Sequence, residues 1–195
     1  STAIRAFADT EKEKHLQHEI TCMKCYFSFS NRNKCFFSSP VEFGQLITRK
    51  ILHFDNGYRI EANLINTAPF SCNSDDGLHY LPEDAIQSLT KASKADIAIV
   101  VMHHSPDWFE FSQKKELEGI VAQRCSLAFY GHEHLPGAQN VLYDNGSRIV
   151  KQAGGAWWQS SAPMFSEYYA AVFDTESRKY SLNKFSWNAD RSSFI

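Results

Sequence analysis

Histidines occur in two groups, each directly after a short apolar run. His103 and His104 follow residues 96–102, while His132 and His134 follow residues 125–130. Side chains alternate along an extended segment, so His132 and His134 project to the same side of the chain. A neutral imidazole nitrogen is a preferred ligand of divalent transition metals. Either group alone would be weak evidence, but together they predict a metal site.

The elements needed to bring these histidines together can be predicted from the apolar pattern. Residues 96–102 and 125–130 are apolar on both faces, which is typical of central strands in a layered α/β fold. Helix signals precede each run: Pro82 and two acidic residues open a predicted helix over 82–89, and a second is predicted over 113–121. Ligands in such folds gather at the carboxyl ends of the strands, so we expect the two groups to share one crevice.

Three turns between strand-like segments predict antiparallel hairpins. The turns at 55–57 and 144–146 each contain Asn-Gly, which tolerates the positive φ of a tight hairpin, and a third lies at 174–177. The predicted class is therefore α/β, with a mixed sheet and several antiparallel hairpins. Residues 1–50 are expected to form a helical and aromatic segment packed against residues 51–195.

Composition limits the classes of function. The 195 residues are 43% hydrophobic, and 20 Lys+Arg against 22 Asp+Glu give a net charge of −2. This excludes a disordered chain and provides no basic surface for nucleic acid or anionic membranes, although nucleic acid stays possible as a partner. No apolar run approaches membrane-spanning length, and five cysteines are an odd number for a disulfide framework. We expect a protein with no membrane partner in the reducing cytoplasm.

The two histidine groups resemble the last two metal-ligand motifs of the calcineurin-like metallophosphoesterases. The matching segments are His103-His104-Ser105-Pro106 and Gly131-His132-Glu133-His134, with a helix between them, and the resemblance extends over about residues 50–185. It implies the C-terminal half of a four-layer α/β/β/α sandwich. It also implies two divalent metal ions (Mn, Fe or Zn), with His103 and His132 on one ion and His134 on the other. The implied reaction is hydrolysis of a phosphate mono- or diester substrate by a metal-bound hydroxide.

Three earlier motifs of that family, Asp-x-His, Gly-Asp-x-x-Asp and Gly-Asn-His, are absent from the sequence. In the family they provide a bridging Asp, an Asn ligand and the catalytic His, so the catalytic residue of this chain is unknown. Asp55, Asn56 and Asn66 are the nearby upstream candidates, and the first two already belong to a predicted turn. We expect the chain to be inactive alone and to need the missing N-terminal half or a complementing chain. The alternatives are a single zinc held by three imidazoles, or a non-catalytic, degenerate phosphoesterase fold that acts as a binding or regulatory module.

Residues beside the ligands have two interpretations each. His104 need not bind metal and is a candidate substrate contact. Trp108 either contacts substrate or anchors its loop beneath the site. Glu133 points away from its neighbours and is expected to support the ligands or face solvent, and His53 and His79 are interpreted as non-ligands.

One further group lies near the N-terminus. His15, His18, Cys22 and Cys25 would share one face of a continuous helix, and with Cys35 they could form a structural zinc site. The favoured interpretation is that the cysteines face the core beside neighbouring aromatic residues.

Overall fold

A computed structural model describes most of the chain and shows an α/β architecture. The described residues are 11, 13–15, 17–18, 20–25, 28, 46–71, 74–132, 137–154, 166–177, 179–188 and 190–195. From residue 47 onward the elements follow the predicted order: a hairpin, a helix, a strand, a second helix, a second strand and two further hairpins. The predicted fold class and mixed sheet are confirmed.

Six strands form the main sheet: β1 Ile47–His53, β2 Arg59–Ile65, β3 Ile97–Met102, β4 Leu127–Tyr130, β5 Gly137–Leu142 and β6 Arg148–Ala153. Their order in the sheet is β1-β2-β3-β4-β6-β5. Strands β2, β3, β4 and β6 are parallel, and the edge strands β1 and β5 are antiparallel to their neighbours.

Two of the predicted hairpins close the edges of this sheet. The turns between β1 and β2 and between β5 and β6 place Gly57 at φ +80° and Gly146 at φ +82°. Glycine adopts this left-handed conformation without steric cost, which explains the Asn-Gly pair in both turns. Strand β1 begins at Ile47, so the regular fold starts a few residues before the expected boundary at 51.

Two helices connect the parallel strands. Helix α1, Glu83–Thr90, begins after Pro82 and carries two acidic residues in its first turn. Helix α2, Phe111–Arg124, extends beyond the predicted 113–121 at both ends. Their buried residues pack with the central strands in one hydrophobic cluster, which includes Ile86, Leu89, Leu117, Val100 and Ala128. Among the described residues, no helix is long and apolar enough to cross a membrane.

A second, three-stranded antiparallel sheet follows, formed by β7 Glu167–Asp174, β8 Lys179–Asn188 and β9 Ser193–Phe194. It contacts the first hairpin of the main sheet through the rings of Tyr58 and Phe173, whose centroids are 5.6 Å apart. This contact lies beside the first residues of β2, at the edge of the main sheet opposite to the loops that follow β3 and β4.

The described residues between 11 and 25 are mostly helical and correct the interpretation of the cysteines. Ile20 is buried in the core, but Cys22 and Cys25 are exposed. Each helical residue turns the chain by about 100°, so both cysteines lie well away from the Ile20 face. The expectation that they face the core is therefore wrong. Cys22 Sγ lies 3.8 Å from His18 Nε2, and Cys35 lies outside the described residues.

Candidate metal centre

The loops after β3 and β4 meet at one edge of the main sheet. The two strands are parallel neighbours, with Met102 opposite Tyr130 at their carboxyl ends. The next residues continue this pairing, since the Gly131 N–H donates to the His103 carbonyl oxygen at 2.9 Å. The predicted convergence of the two histidine loops is confirmed, because a parallel register brings both strand ends to the same edge.

His103 and His132 form a close pair at this edge. His103 Nε2 and His132 Nδ1 are 3.2 Å apart, and the two rings meet at 89°. His132 has φ 67°, a left-handed conformation that is uncommon outside glycine. Gly131 permits the approach, because a Cβ there would lie 2.6 Å from His103 Nδ1. We name His103 and His132 the exposed pair; His134 and Glu133 lie outside the described residues.

His104 turns to the interior, where its side chain is 2% exposed. Its Nδ1 lies 2.9 Å from Thr67 Oγ1, and its Nε2 lies 3.7 Å from Asp75 Oδ2. Its backbone N–H donates to the same Thr67 hydroxyl oxygen at 3.2 Å. Burial lowers the pKa of His104 to about 3, and the neighbouring His79 ring contributes, so the imidazole is neutral at pH 7. Its role as a substrate contact stays a prediction.

Asp75 and His79 complete a buried group around His104. Their side chains are 5% and 1% exposed, and His79 Nε2 lies 3.3 Å from Asp75 Oδ2. The rings of His79 and His104 stack with centroids 4.0 Å apart. Burial lowers the pKa of His79, outweighing hydrogen bonds to Asp75 and to the Thr67 backbone that raise it. We name Asp75, His79 and His104 the buried cluster.

Both groups could hold a metal ion. In the buried cluster one ligand atom from each residue lies within 4.8 Å of the others, and the same holds for the exposed pair taken together with His104. Two imidazoles and a carboxylate, or three imidazoles, are ligand sets of first-row transition metals. His79, interpreted from the sequence as a non-ligand, thus lies in a metal-capable group. The sequence does not identify Asp75 as a candidate ligand, since the only pattern that marks it is its position four residues before His79.

Trp108 packs against the exposed pair. Its ring meets His132 edge-on with centroids 4.2 Å apart and lies 5.9 Å from His104. The residue belongs to a short 3-10 helix, Pro106–Trp108, directly after the histidine loop. The structure shows that the half-buried Trp108 ring contacts His132. This position is compatible both with anchoring of the loop and with contact to a substrate.

The upstream candidates are separated by the fold. Asp55 and Asn56 lie in the turn before β2, at the opposite edge of the sheet from His103, and Asn56 Oδ1 accepts a hydrogen bond from the Tyr58 N–H at 3.0 Å. They serve the turn, as the sequence suggested. Asn66 follows β2 at the same edge as the histidines, and its Oδ1 accepts from the Ala68 N–H at 3.2 Å.

Comparisons with known proteins add no function. No family model matches the chain, and no curated protein matches it. Among solved structures the chain is similar to a hypothetical protein from Thermus thermophilus, at 18% identity and a TM-score of 0.45. The match covers 75% of this chain and 64% of that one, so the chain spans less than two thirds of that structure's length.

Proposed function

We propose that the protein is a metal-dependent phosphoesterase in which His103, His132 and His134 are metal ligands. The observation that carries this proposal is the exposed pair, with His103 Nε2 and His132 Nδ1 3.2 Å apart. Two nitrogen ligands about 2.0–2.1 Å from one zinc ion in tetrahedral geometry lie about 3.3 Å from each other. The pair therefore has the separation of two ligands on one ion, in loops that are open to a substrate.

The residues at this edge fit divalent ions such as Mn, Fe or Zn. Each imidazole offers a ring nitrogen, Gly131 leaves room for the close approach, and the Trp108 ring packs against His132 from the side. Two divalent ions, when bound, would supply the positive charge that attracts and polarises a phosphate ester. The composition offers no such charge, because the chain has a net charge of −2.

The proposal includes a complementing segment. The exposed pair contributes only nitrogen ligands, whereas the resemblance assigns the bridging Asp, the Asn ligand and the catalytic His to motifs that this sequence lacks. We infer that the missing N-terminal half, or a chain that replaces it, brings these groups to the same edge and completes a four-layer sandwich in a cytoplasmic enzyme. The alternative, a non-catalytic binding or regulatory module, requires only the ligands that the chain already has.

The test compares the chain alone with the chain joined to the segment encoded upstream of it. Metal content is measured for both, together with turnover of p-nitrophenyl phosphate and bis-p-nitrophenyl phosphate. We expect metal-dependent turnover by the joined protein only. His132→Gln should reduce it by about 100-fold or more, since losing even the outer partners of metal ligands costs 10–100-fold.

His53→Gln is the matched control, because His53 is an exposed histidine of β1 outside the site. Its turnover should equal that of the unsubstituted protein. Rapid metal-dependent turnover by the chain alone would refute the need for a complementing segment. A joined protein that binds no metal would refute the enzyme proposal, and one that binds metal without turnover would favour the regulatory module.

A further inference from the structure

We propose that the buried cluster of Asp75, His79 and His104 binds a divalent ion of its own, of the zinc class, separate from the exposed pair. The ion would join the loop before α1 to the loop after β3. This inference does not rest on the phosphoesterase proposal, because it requires neither the exposed pair nor a phosphate substrate.

The distances in the cluster are compatible with one shared ion, although the shorter of them is also a hydrogen bond. Asp75 Oδ2 lies 3.3 Å from His79 Nε2 and 3.7 Å from His104 Nε2. The second distance is too long for a hydrogen bond. Ligands of one tetrahedral zinc are about 3.3 Å apart, so both distances are within about 0.4 Å of the separation that a shared ion imposes.

The surroundings of His104 also suit a ligand. Histidines that bind metal almost always donate the other ring N–H to an acceptor, which fixes the tautomer and the ring orientation. Thr67 Oγ1 lies 2.9 Å from His104 Nδ1 and can accept that proton. The lone pair of Nε2 is then directed toward Asp75. Although a ring nitrogen of His104 also lies within 4.8 Å of ligand atoms of the exposed pair, Nδ1 is engaged by Thr67 and Nε2 faces Asp75, so we assign this residue to the interior ion.

Burial and charge define the class of ion. The cluster offers two imidazole nitrogens and one carboxylate oxygen, which suit Zn²⁺ or Co²⁺ better than the oxygen-seeking Mg²⁺ and Ca²⁺. The single carboxylate offsets part of the charge of the ion in an interior where an unpaired charge is costly. All three side chains are at most 5% exposed, so the ion stabilises the fold and is not placed to meet a large substrate.

The test uses Co²⁺ as a spectroscopic probe on the whole metal-free chain. Visible absorption and the number of bound ions are measured for the wild type, for His79→Gln, which removes a ligand of the buried cluster, and for His132→Gln, which removes a ligand of the exposed pair. We expect His79→Gln to weaken one class of bound Co²⁺ by at least about 100-fold and His132→Gln to retain it. Binding that is unchanged in His79→Gln, or abolished entirely in His132→Gln, would overturn the proposal.

Two further measurements guard against a variant that fails to fold. Anomalous diffraction at the cobalt edge locates the ion in the wild-type chain without any substitution. A peak about 2.0–2.2 Å from the three ligand atoms supports the proposal, and its absence from the cluster overturns it. Thr67→Val, which removes the acceptor for His104, should weaken binding about 10–100-fold, whereas Thr67→Ser should restore it. Equal affinities of these two variants would refute the role of Thr67.

Discussion

Gly131→Ala tests the geometry of the exposed pair directly. A Cβ at position 131 would lie 2.6 Å from His103 Nδ1 and 3.3 Å from His103 Cε1. Ordinary contact begins at 3.4 Å, so the ring must retreat by about 0.8 Å. His103 is exposed and can swing into solvent, which breaks its 3.2 Å contact with His132. We expect a loss of about 0.5–1.5 kcal/mol in the free energy of unfolding, the net value of one hydrogen bond.

The larger effect of Gly131→Ala falls on metal binding. Moving one ligand by this distance should weaken Co²⁺ binding at the exposed pair about 10–100-fold, as losses in the support of metal ligands do. Gly119→Ala is the matched control, because a Cβ at that position within α2 meets nothing within 4 Å. It should raise the free energy of unfolding by about 0.5–1 kcal/mol and leave metal affinity unchanged. Urea denaturation and Co²⁺ titration measure both effects, and a Gly131→Ala variant with wild-type metal affinity would refute the argument.

Three further outcomes follow from buried groups elsewhere in the fold. Arg49→Met should lower the free energy of unfolding by about 3 kcal/mol in urea denaturation, because it leaves the buried Glu61 carboxylate without a cation. In the wild type that carboxylate lies 3.3 Å from Arg49 Nε. A loss below about 1 kcal/mol would show that the ion pair contributes little to stability. Burial raises the pKa of Cys125 to about 12, whereas Cys22 is exposed. Iodoacetamide added to the native chain at pH 8 should therefore label Cys22 and not Cys125, as measured by peptide mass spectrometry. Equal labelling of the two cysteines would contradict the burial of Cys125. The pKa of His104 is lowered from 6.5 to about 3 in the folded protein, so as the pH falls the unfolded chain binds a proton at this imidazole before the folded chain does. The free energy of unfolding of the metal-free protein should therefore fall as the pH drops from 6.5 toward 3. Urea midpoints that do not change over this range would contradict the buried neutral imidazole.

The parts of the fold that could be predicted are those encoded by neighbouring residues. Strands β3 and β4 are apolar on both faces, a pattern that can be recognised without a structure. The face with Val100 and Ala128 is buried, whereas Ile99, Val101 and Phe129 on the other face are half-buried among the described residues. The hairpin turns are marked by Asn-Gly for an equally local reason. Helix α2 is longer than the predicted 113–121, because Phe111 at its start is exposed and only Ala122 of the three residues added at its end is buried, so these residues add little apolar periodicity.

The buried cluster could not be predicted, because its burial depends on contacts between distant segments. His79 is held by backbone pairing with the loop after β3: its N–H donates to the Trp108 carbonyl oxygen at 3.2 Å, and its carbonyl oxygen accepts from the Glu110 N–H at 3.1 Å. Nothing near His79 in the sequence indicates this bridge. A histidine in a loop is usually solvated, and it is the packing of His79 against Phe109 and His104 that removes it from water.

The adjacent residues His103 and His104 connect the two metal-capable groups. In the bend that follows β3, His103 faces solvent while His104 faces the interior. The rings nevertheless stay in contact: His104 stacks on His79 at 4.0 Å between centroids and lies 4.4 Å from His132. An ion in the buried cluster that holds the His104 ring in place would therefore also hold in place a surface against which His132 packs. The buried ion would thus preorganise the exposed pair without contacting anything bound there.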